Sequence, residues 1–162
     1  MNRNKAFVIA TAGMIAAMYV VLTYIADLFG LASGAVQVRL SEALTILPVF
    51  TTAAVPGLTV GCVLANLLTG CAAWDVVFGS LATLLGAVGT RLMRKTPQLA
   101  WIPPVVSNVV IVPLVLMKVY GMTDAWWYLA LTVGAGELIA CGLLGLLVWR
   151  IGCRVPAIAN MK

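Results

Sequence analysis

Long apolar runs separated by short polar breaks set the pattern of this chain. The runs lie at about residues 5–28, 42–54, 58–69, 76–93, 99–120 and 126–151. A helical run of about twenty apolar residues matches the hydrocarbon thickness of a bilayer. The pattern therefore predicts an all-α integral membrane protein with six transmembrane helices in a single domain, residues 1–162. The second and third helices are short for full spans and would be tilted or shielded by their neighbours.

The breaks between the runs carry signals for helix ends. Ser41 is predicted to cap the second helix, and Val55-Pro56-Gly57 is predicted to form the tight turn before the third. Residues 30–40 are predicted to form a loop with a short extended piece, because apolar and polar residues alternate at its end. The polar start before the first run resembles a signal peptide, but the run is too long for one, so it is interpreted as a retained helix.

Composition supports a membrane protein and excludes other classes. The chain is 63% hydrophobic and 9% charged, whereas soluble domains carry roughly 25% charged residues. The net charge of +5 does not indicate nucleic-acid binding, because the basic residues lie at the ends of apolar runs. With no histidine and no pair of cysteines at ligand spacing, no metal site is expected.

The distribution of charge predicts the orientation. With the N-terminus in the cytoplasm, eight of the ten basic residues lie on the cytoplasmic side, and only Arg39 and Lys118 lie outside. Four acidic residues are predicted at the outer face: Asp27, Glu42, Asp75 and Asp124. We therefore expect a multi-pass protein of a bacterial plasma membrane with both termini in the cytoplasm.

Glu137 is the most informative polar residue, because it lies about halfway along the sixth run. A carboxyl group at that depth costs several kcal/mol, so it usually lines a cavity and pairs with another group. One interpretation is a protonated acid that bonds to a neighbouring helix. The other is a ligand contact, favoured by Gly134 and Gly136, which allow close approach to the backbone.

Asn108 and Asn66 are the other polar groups at membrane depth. Either amide can be explained by an interhelical hydrogen bond. Asn108 follows Pro103, Pro104 and Ser107 in the fifth run, where prolines are expected to kink the helix and free backbone carbonyls. A polar pocket is therefore predicted there.

Two further groups lie near the predicted outer face. Arg39 and Glu42 form either a surface ion pair at a helix start or a pocket rim over a cavity. Trp74 and Asp75 place a stacking face beside an acid, although such a tryptophan also anchors helices at the membrane interface.

Small residues at helical spacing occur in the first helix, as the pairs Ala12/Ala16 and Gly13/Ala17. Such pairs allow helices to pack closely in lipid. The chain has no phosphate-binding loop and no acidic cluster suited to catalytic metals. We expect no enzyme activity and no cofactor in this chain, and any ATP would be hydrolysed by partner subunits.

The order of four motifs resembles the QueT family of queuosine-precursor transporters, which are substrate-binding S components of energy-coupling factor transporters. The resemblance covers about residues 5–152. It is carried by Val38-Arg-Leu-Ser-Glu-Ala-Leu-Thr-Ile-Leu-Pro48, Leu64-Ala-Asn-Leu-Leu-Thr-Gly70, Trp74-Asp-Val-Val-Phe-Gly79 and Pro103-Pro-Val-Val-Ser-Asn108.

The resemblance implies a binder of a 7-deazaguanine, in particular the aminomethyl form, that works with a membrane T component and two ATPases. Ala12 and Ala16 would then face the T component. The bound molecule would lie near the outer surface, and toppling of the S component would release it inside.

The polar residues suit such a ligand. Glu137 is expected to accept the N–H and amino groups of the base edge, and Asn108 to donate to the ring carbonyl. The aminomethyl arm would bind Asp75 or Glu42, Trp74 would stack on the ring, and Arg39 would orient Glu42.

Three alternatives stay open. The chain could carry another vitamin-like cargo, or it could be a scaffold without a ligand, in which the buried polar residues only join helices. An intramembrane enzyme is the third, although no nucleophile–base pair is visible in the sequence.

Overall fold

The described residues form a helical bundle. The computed structural model describes residues 3–31 and 38–159 of the chain. In chain order the helical segments are α1 (Arg3–Leu28), a 3₁₀ segment (Leu40–Val49), α2 (Ala54–Leu68), α3 (Ala73–Leu92), a short 3₁₀ turn (Pro97–Leu99), α4 (Ile102–Lys118), α5 (Trp126–Glu137), a π segment (Leu138–Leu144), α6 (Gly145–Arg154) and α7 (Pro156–Ala159). α5, the π segment and α6 follow one another without a break and form one helical stretch, Trp126–Arg154.

Four of these helical stretches are long and apolar enough to cross a membrane: Lys5–Leu28, Ala73–Leu92, Pro97–Lys118 and Trp126–Arg154. The 3₁₀ segment and α2 are shorter apolar helices. The all-helical class is thus confirmed for the described residues. The count of six spans and the cytoplasmic location of both termini stay predictions.

The 3₁₀ segment is the central element of the bundle. It packs against α1, α2, α3, the π segment and α6, and six of its first seven residues are buried. Its three-residue period places Glu42 and Thr45 one above the other, and the Thr45 hydroxyl donates to the Glu42 carbonyl at 2.6 Å. Pro48 has no N–H to donate, so the segment ends close behind it. The shielding expected for a short second helix is therefore nearly complete.

Several predictions about helix ends are wrong. Ser41 does not cap the second helix. Its hydroxyl lies inside the bundle and accepts a hydrogen bond from Thr23 Oγ1 at 2.9 Å. The turn between the second and third helices lies at residues 50–53, and Pro56 belongs to the first turn of α2, where its missing N–H costs nothing. Residues 32–37 of the loop predicted at 30–40 lie outside the described residues, whereas Arg39 has an extended backbone and Leu40 already begins the 3₁₀ segment.

The prolines of the fifth run start a helix instead of kinking one. Pro103 and Pro104 occupy the first turn of α4, a position where proline is tolerated. They pack against glycines of α3, because a Cβ on Gly86 would lie 2.7 Å from the Pro104 Cα and one on Gly89 would lie 2.4 Å from the Pro103 Cβ. Only Pro113 lies in the interior of α4.

Lipid-sized apolar surface covers the outside of the bundle. On α1, one face is buried and the opposite face exposes large apolar side chains such as Phe7, Ile9, Met14 and Val21. In water such a surface would be an aggregation liability, whereas in a bilayer it faces acyl chains. The exposure pattern agrees with the composition.

Candidate functional site

A polar cavity of about 340 Å³ opens at one end of the bundle. It lies where α1, α2 and α4 end and α3 begins, with Arg39 entering from the start of the 3₁₀ segment. This volume is in the range of small-molecule sites. Its polar lining consists of Thr23, Asp27, Arg39, Asn66, Thr69, Cys71, Asp75 and Tyr120.

Asp75 is held in this cavity by Tyr120. The Tyr120 hydroxyl donates to Asp75 Oδ2 at 2.8 Å and accepts the backbone N–H of Ala72 at 3.3 Å. Burial, together with the neighbouring Asp75 carboxylate, raises the pKa of Tyr120 to about 12. The phenol therefore remains a hydrogen-bond donor at physiological pH, and the end of α4 is tied to the start of α3 across the cavity.

Two buried acids lie deeper, at the centre of the bundle. One carboxylate oxygen of Glu42, one of Glu137 and the Cys141 sulfur lie within 4.8 Å of one another. Glu42 is 1% exposed and Glu137 is 6% exposed. We call Glu42, Glu137 and Cys141 the acid cluster. Sequence reasoning placed Glu42 at the outer face, and the structure corrects this, because the 3₁₀ segment that carries Glu42 is buried.

Neighbouring helices fix the two carboxyl groups. The Tyr19 hydroxyl of α1 donates to Glu42 Oε1, and the Cys141 thiol donates to Glu137 Oε2 at 3.1 Å. Asn108 lies beside both carboxyl groups. Glu42 Oε2 is buried without a hydrogen-bond partner among the described residues. A buried acceptor of this kind is costly unless another donor reaches it.

The π segment sets the geometry of the acid cluster. It begins directly after Glu137 and includes Cys141. Wider π turns are rare and often occur at functional sites. Here the Cys141 sulfur also lies 3.5 Å from the carbonyl oxygen of Glu42, so the distorted stretch of helix is joined to the central 3₁₀ segment.

Three helices connect the polar cavity to the acid cluster within one turn each. On α1, Thr23 lines the cavity and Tyr19 contacts Glu42. On α4, Val112 lines the cavity and Asn108 lies beside the acids. On α2, Asn66 lines the cavity, and its neighbour one turn deeper, Cys62, accepts hydrogen bonds from Asn66 Nδ2 at 3.6 Å and from Thr83 at 3.4 Å. One turn is about 5.4 Å, so the acid cluster lies just below the cavity floor.

The structure divides the sequence-predicted residues into these two layers. Arg39, Asn66 and Asp75 line the cavity, whereas Glu42, Glu137 and Asn108 lie below it. The Tyr19 hydroxyl contacts the Glu42 carboxyl group directly, and Arg39 acts on that group through its charge.

Trp74 is not brought into either layer. Its side chain is 63% exposed and stacks on Phe78 with a centroid distance of 5.9 Å. Successive residues of a helix point about 100° apart, so the face of α3 that directs Asp75 inward directs Trp74 outward. Tyr120 is the aromatic side chain that lines the cavity.

Sequence reasoning missed Tyr19, Tyr120 and the thiol contact of Cys141. Tyr19 had a usable signal, because a tyrosine in the middle of an apolar membrane helix needs a partner for its hydroxyl. The contact of Cys141 with Glu137 depends on the π segment, which the sequence pattern does not reveal.

The small residues of α1 lie on two faces. Ala12 and Ala16 face α2, because a Cβ on Gly57 would lie 2.7 Å from the Ala12 carbonyl oxygen and one on Gly61 would lie 3.0 Å from the Ala16 Cα. Gly13 and Ala17 are exposed. Ala16 is therefore covered inside the chain, and the open small-residue pair is Gly13/Ala17.

The three side chains of the acid cluster are close enough together to be considered as ligands of a metal ion. Two carboxylates and one thiol offer three donor atoms of mixed hardness. Structural zinc sites use four ligands and catalytic sites three, so the donor set is incomplete for a structural site. The expectation that no metal binds stays a prediction.

The fold and the site define a class before any comparison. A helical chain with several membrane-spanning-capable helices, a polar cavity at one end and buried acids below it has the architecture of a multi-pass membrane protein, and the cavity has the size of a site for a small molecule.

Comparison with known proteins gives the family. The family described as QueT transporter matches residues 9–151, so the chain belongs to the QueT transporter family. The chain is 35% identical over 86 residues to the queuosine precursor transporter QueT of Lactococcus lactis subsp. cremoris (strain MG1363), and this match covers 52% of the chain and 50% of the relative. The match thus spans about half of the length of that relative. No solved structure matches the chain.

Proposed function

We propose that this protein is the substrate-binding membrane subunit, the S component, of an energy-coupling factor importer, and that it captures a queuosine precursor of the 7-deazaguanine class. The observation that carries the proposal is the polar cavity at one end of a helical membrane bundle in a chain of the QueT transporter family. The L. lactis relative is named as a transporter of a queuosine precursor, which supports the same cargo here.

The bundle is proposed to span the membrane six times, with both termini in the cytoplasm. An apolar groove brings the N-terminal half of α1 together with α6 and Ile158 of α7 toward one end of the bundle. The polar cavity opens at the other end, where the acidic residues Asp27, Asp75 and Asp124 also lie. The excess of basic residues at the end with the termini supports its cytoplasmic location. The cavity then faces outside, as capture of an external molecule requires.

The cavity volume favours one orientation of the ligand. A fused ring needs space, and the polar cavity supplies about 340 Å³. We therefore propose that the ring lies in the cavity, with its donor edge on Asp75 and its carbonyl near Arg39 or Asn66. Asp75 replaces Glu137 as the proposed acceptor of the base edge, and Tyr120 replaces Trp74 as the proposed stacking side chain.

A second surface is proposed to bind the T component. Gly13 and Ala17 lie exposed on α1 among apolar side chains, which favours close contact with another membrane helix. Ala12 and Ala16 support this surface from behind through their contact with α2. ATP would be hydrolysed by two partner ATPases, since no nucleotide-binding motif is present in this sequence.

Ligand-dependent thermal stabilisation of the detergent-purified protein tests the cargo. The panel contains queuine, the cyano and aminomethyl deazaguanines, guanine, riboflavin, thiamine and biotin. A ligand at 100 times its dissociation constant adds about 2.7 kcal/mol to stability. Stabilisation confined to the deazaguanines is the expected result. Stabilisation by another vitamin would overturn the cargo and keep the architecture, and no response to any compound would favour a ligand-free scaffold.

Co-purification tests the partner surface. Gly13→Leu combined with Ala17→Leu is expected to remove the T component and the ATPases from the purified complex while leaving ligand binding unchanged. Val88→Leu is the control, because Val88 is also an exposed apolar residue but lies on α3, away from the proposed surface of α1. If the double variant retained its partners, the assignment of this surface would be wrong.

A further inference from the structure

We propose that Glu42 and Glu137 form a binding site for a protonated amine, which shares one proton between its two carboxyl groups when empty and releases that proton when the amine enters. The inference rests on the proposed function and adds the charge of the preferred ligand. It favours a deazaguanine with a short alkylammonium arm over a neutral one.

The two acids lie close together in the interior of the bundle. Their facing oxygens lie within 4.8 Å, and both side chains are more than nine-tenths buried. Two carboxylates that share a site of low polarity do not both ionise, because repulsion and lost hydration add. The empty pair therefore holds one proton and one negative charge.

Most of the groups that face the pair are uncharged. Tyr19 from α1, Cys62 from α2 and Cys141 from the π segment are neutral acids at physiological pH. α3 and α4 present the neutral side chains of Thr83 and Asn108. Arg39, at the cavity, is the cation near the pair among the described residues. One positive charge is too few to balance two carboxylates and Asp75.

The pair has hydrogen-bonding capacity that the described residues do not use. Tyr19 occupies Glu42 Oε1 and Cys141 occupies Glu137 Oε2. Glu42 Oε2 has no partner among the described residues although it is fully buried. An ammonium group carries three N–H donors and no acceptor. It matches a site that offers acceptor oxygens and two acids that can both become carboxylates.

A ligand in the polar cavity is close enough to reach the acid cluster. The acid cluster lies about one helical turn, roughly 5.4 Å, below the cavity lining on α1 and α4, as the residue pairs Thr23/Tyr19 and Val112/Asn108 indicate. No separate space for a fused ring is needed at this depth. A ring in the polar cavity would direct a one-carbon ammonium arm down between the two acids.

The proton balance follows from these steps. The amine enters already protonated, and the shared proton leaves the pair for the solvent. The total charge of the site is therefore the same before and after binding, and no charge is buried without a partner. A neutral substituent, such as a nitrile, leaves the shared proton in place.

Titration calorimetry of the purified protein in two buffers with different ionisation enthalpies tests the exchange. Because proton transfer to buffer contributes its own heat, the difference between buffers gives the number of protons released. We expect about one proton per aminomethyl deazaguanine and none per cyano deazaguanine. Binding of the aminomethyl form without proton release would overturn the inference and leave the proposed function intact.

Glu137→Gln separates charge from shape. The amide keeps the size of the side chain but leaves the ammonium with one acid and no proton to release. The affinity for the aminomethyl form should fall by roughly 100-fold or more, while the affinity for the cyano form changes by less than about threefold. Asp124→Asn, an exposed acid at the same end of the bundle, is the matched control and should change neither affinity. An equal loss for both ligands would mean that Glu137 has only a structural role.

A ligand-free measurement keeps the test independent of the cargo. Infrared difference spectra of the unliganded protein should show a protonated carboxyl band that disappears in both Glu42→Gln and Glu137→Gln, because either substitution removes the pair. If the wild-type protein bound no deazaguanine, the proposed function would fail. An absent carboxyl band would overturn the shared proton itself.

Discussion

Tyr19→Phe isolates the contact that holds the central 3₁₀ segment to α1. The substitution keeps the ring and removes only the hydroxyl that donates to Glu42 Oε1. Glu42 is 1% exposed, so water cannot replace the lost donor in the folded protein. A hydrogen bond to an ionisable partner contributes roughly 1.5–3 kcal/mol. We therefore expect a loss of about 2 kcal/mol, which for a chain of this size lowers the melting temperature by roughly 4–8 °C.

The same helix offers a matched control. Tyr24 is 47% exposed, and its hydroxyl donates to the Leu68 carbonyl at 3.2 Å, so water can replace this bond. Tyr24→Phe should cost less than about 0.5 kcal/mol. Thermal unfolding in detergent is followed by the reaction of a fluorogenic dye with the buried thiols Cys62 and Cys141. Equal melting temperatures for the two variants would refute the argument that Tyr19 stabilises the acid cluster.

Two further predictions use the same melting assay, and a third measures ligand affinity. Gly61→Ala should lower the free energy of unfolding by about 1–3 kcal/mol, because its Cβ would approach the Ala16 Cα to 3.0 Å. Gly13→Ala is the control and should not destabilise the protein, because its Cβ would meet no atom within 4 Å. Equal effects would contradict the close packing of α1 and α2. Arg91→Ala should lower the free energy of unfolding by about 1–3 kcal/mol, because Arg91 donates to two carbonyls at the end of the 3₁₀ segment at 2.9 and 3.3 Å. Arg94→Ala is the control, because Arg94 is exposed, and it should change that free energy by less than about 0.5 kcal/mol. Dialysis against a chelator should leave deazaguanine affinity unchanged, and stabilisation by added Zn²⁺ would instead identify the acid cluster as a metal site.

Hydrophobic pattern was sufficient to locate the helical segments of this chain, because each segment carries its own apolar run. It was not sufficient to assign the helix type. The 3₁₀ segment is predicted as an α-helix from its residues, since an apolar stretch with one acid fits either form. Its actual form depends on burial from all sides and on Pro48, which ends it. Pro103 likewise begins a helix instead of kinking one, and this depends on its packing against the glycines of α3, which precede it in the sequence and belong to another helix.

The candidate site shows the same limit more sharply. Glu137, Asn108 and Asn66 could be selected from sequence alone, because a polar group at membrane depth is costly and needs a reason. Their division into two layers could not, because it depends on where each helix meets the cavity. Glu42 was assigned to the outer face because it lies at the start of the second apolar run. Only the central location of the 3₁₀ segment makes it the buried partner of Glu137.

The central 3₁₀ segment also links the two ends of the bundle. Its start carries Arg39 into the polar cavity and Glu42 into the acid cluster, and its end is held by Arg91 at the opposite end of α3. A 3₁₀ helix of ten residues has weaker hydrogen bonds than an α-helix of the same length, so its stability depends on its neighbours. A ligand that fills the cavity and the acid cluster would bind several of those neighbours at once. Ligand binding should therefore stabilise the segment that passes through the middle of the protein, and the end held by Arg91 is where that change would reach the surface proposed to face the cytoplasm.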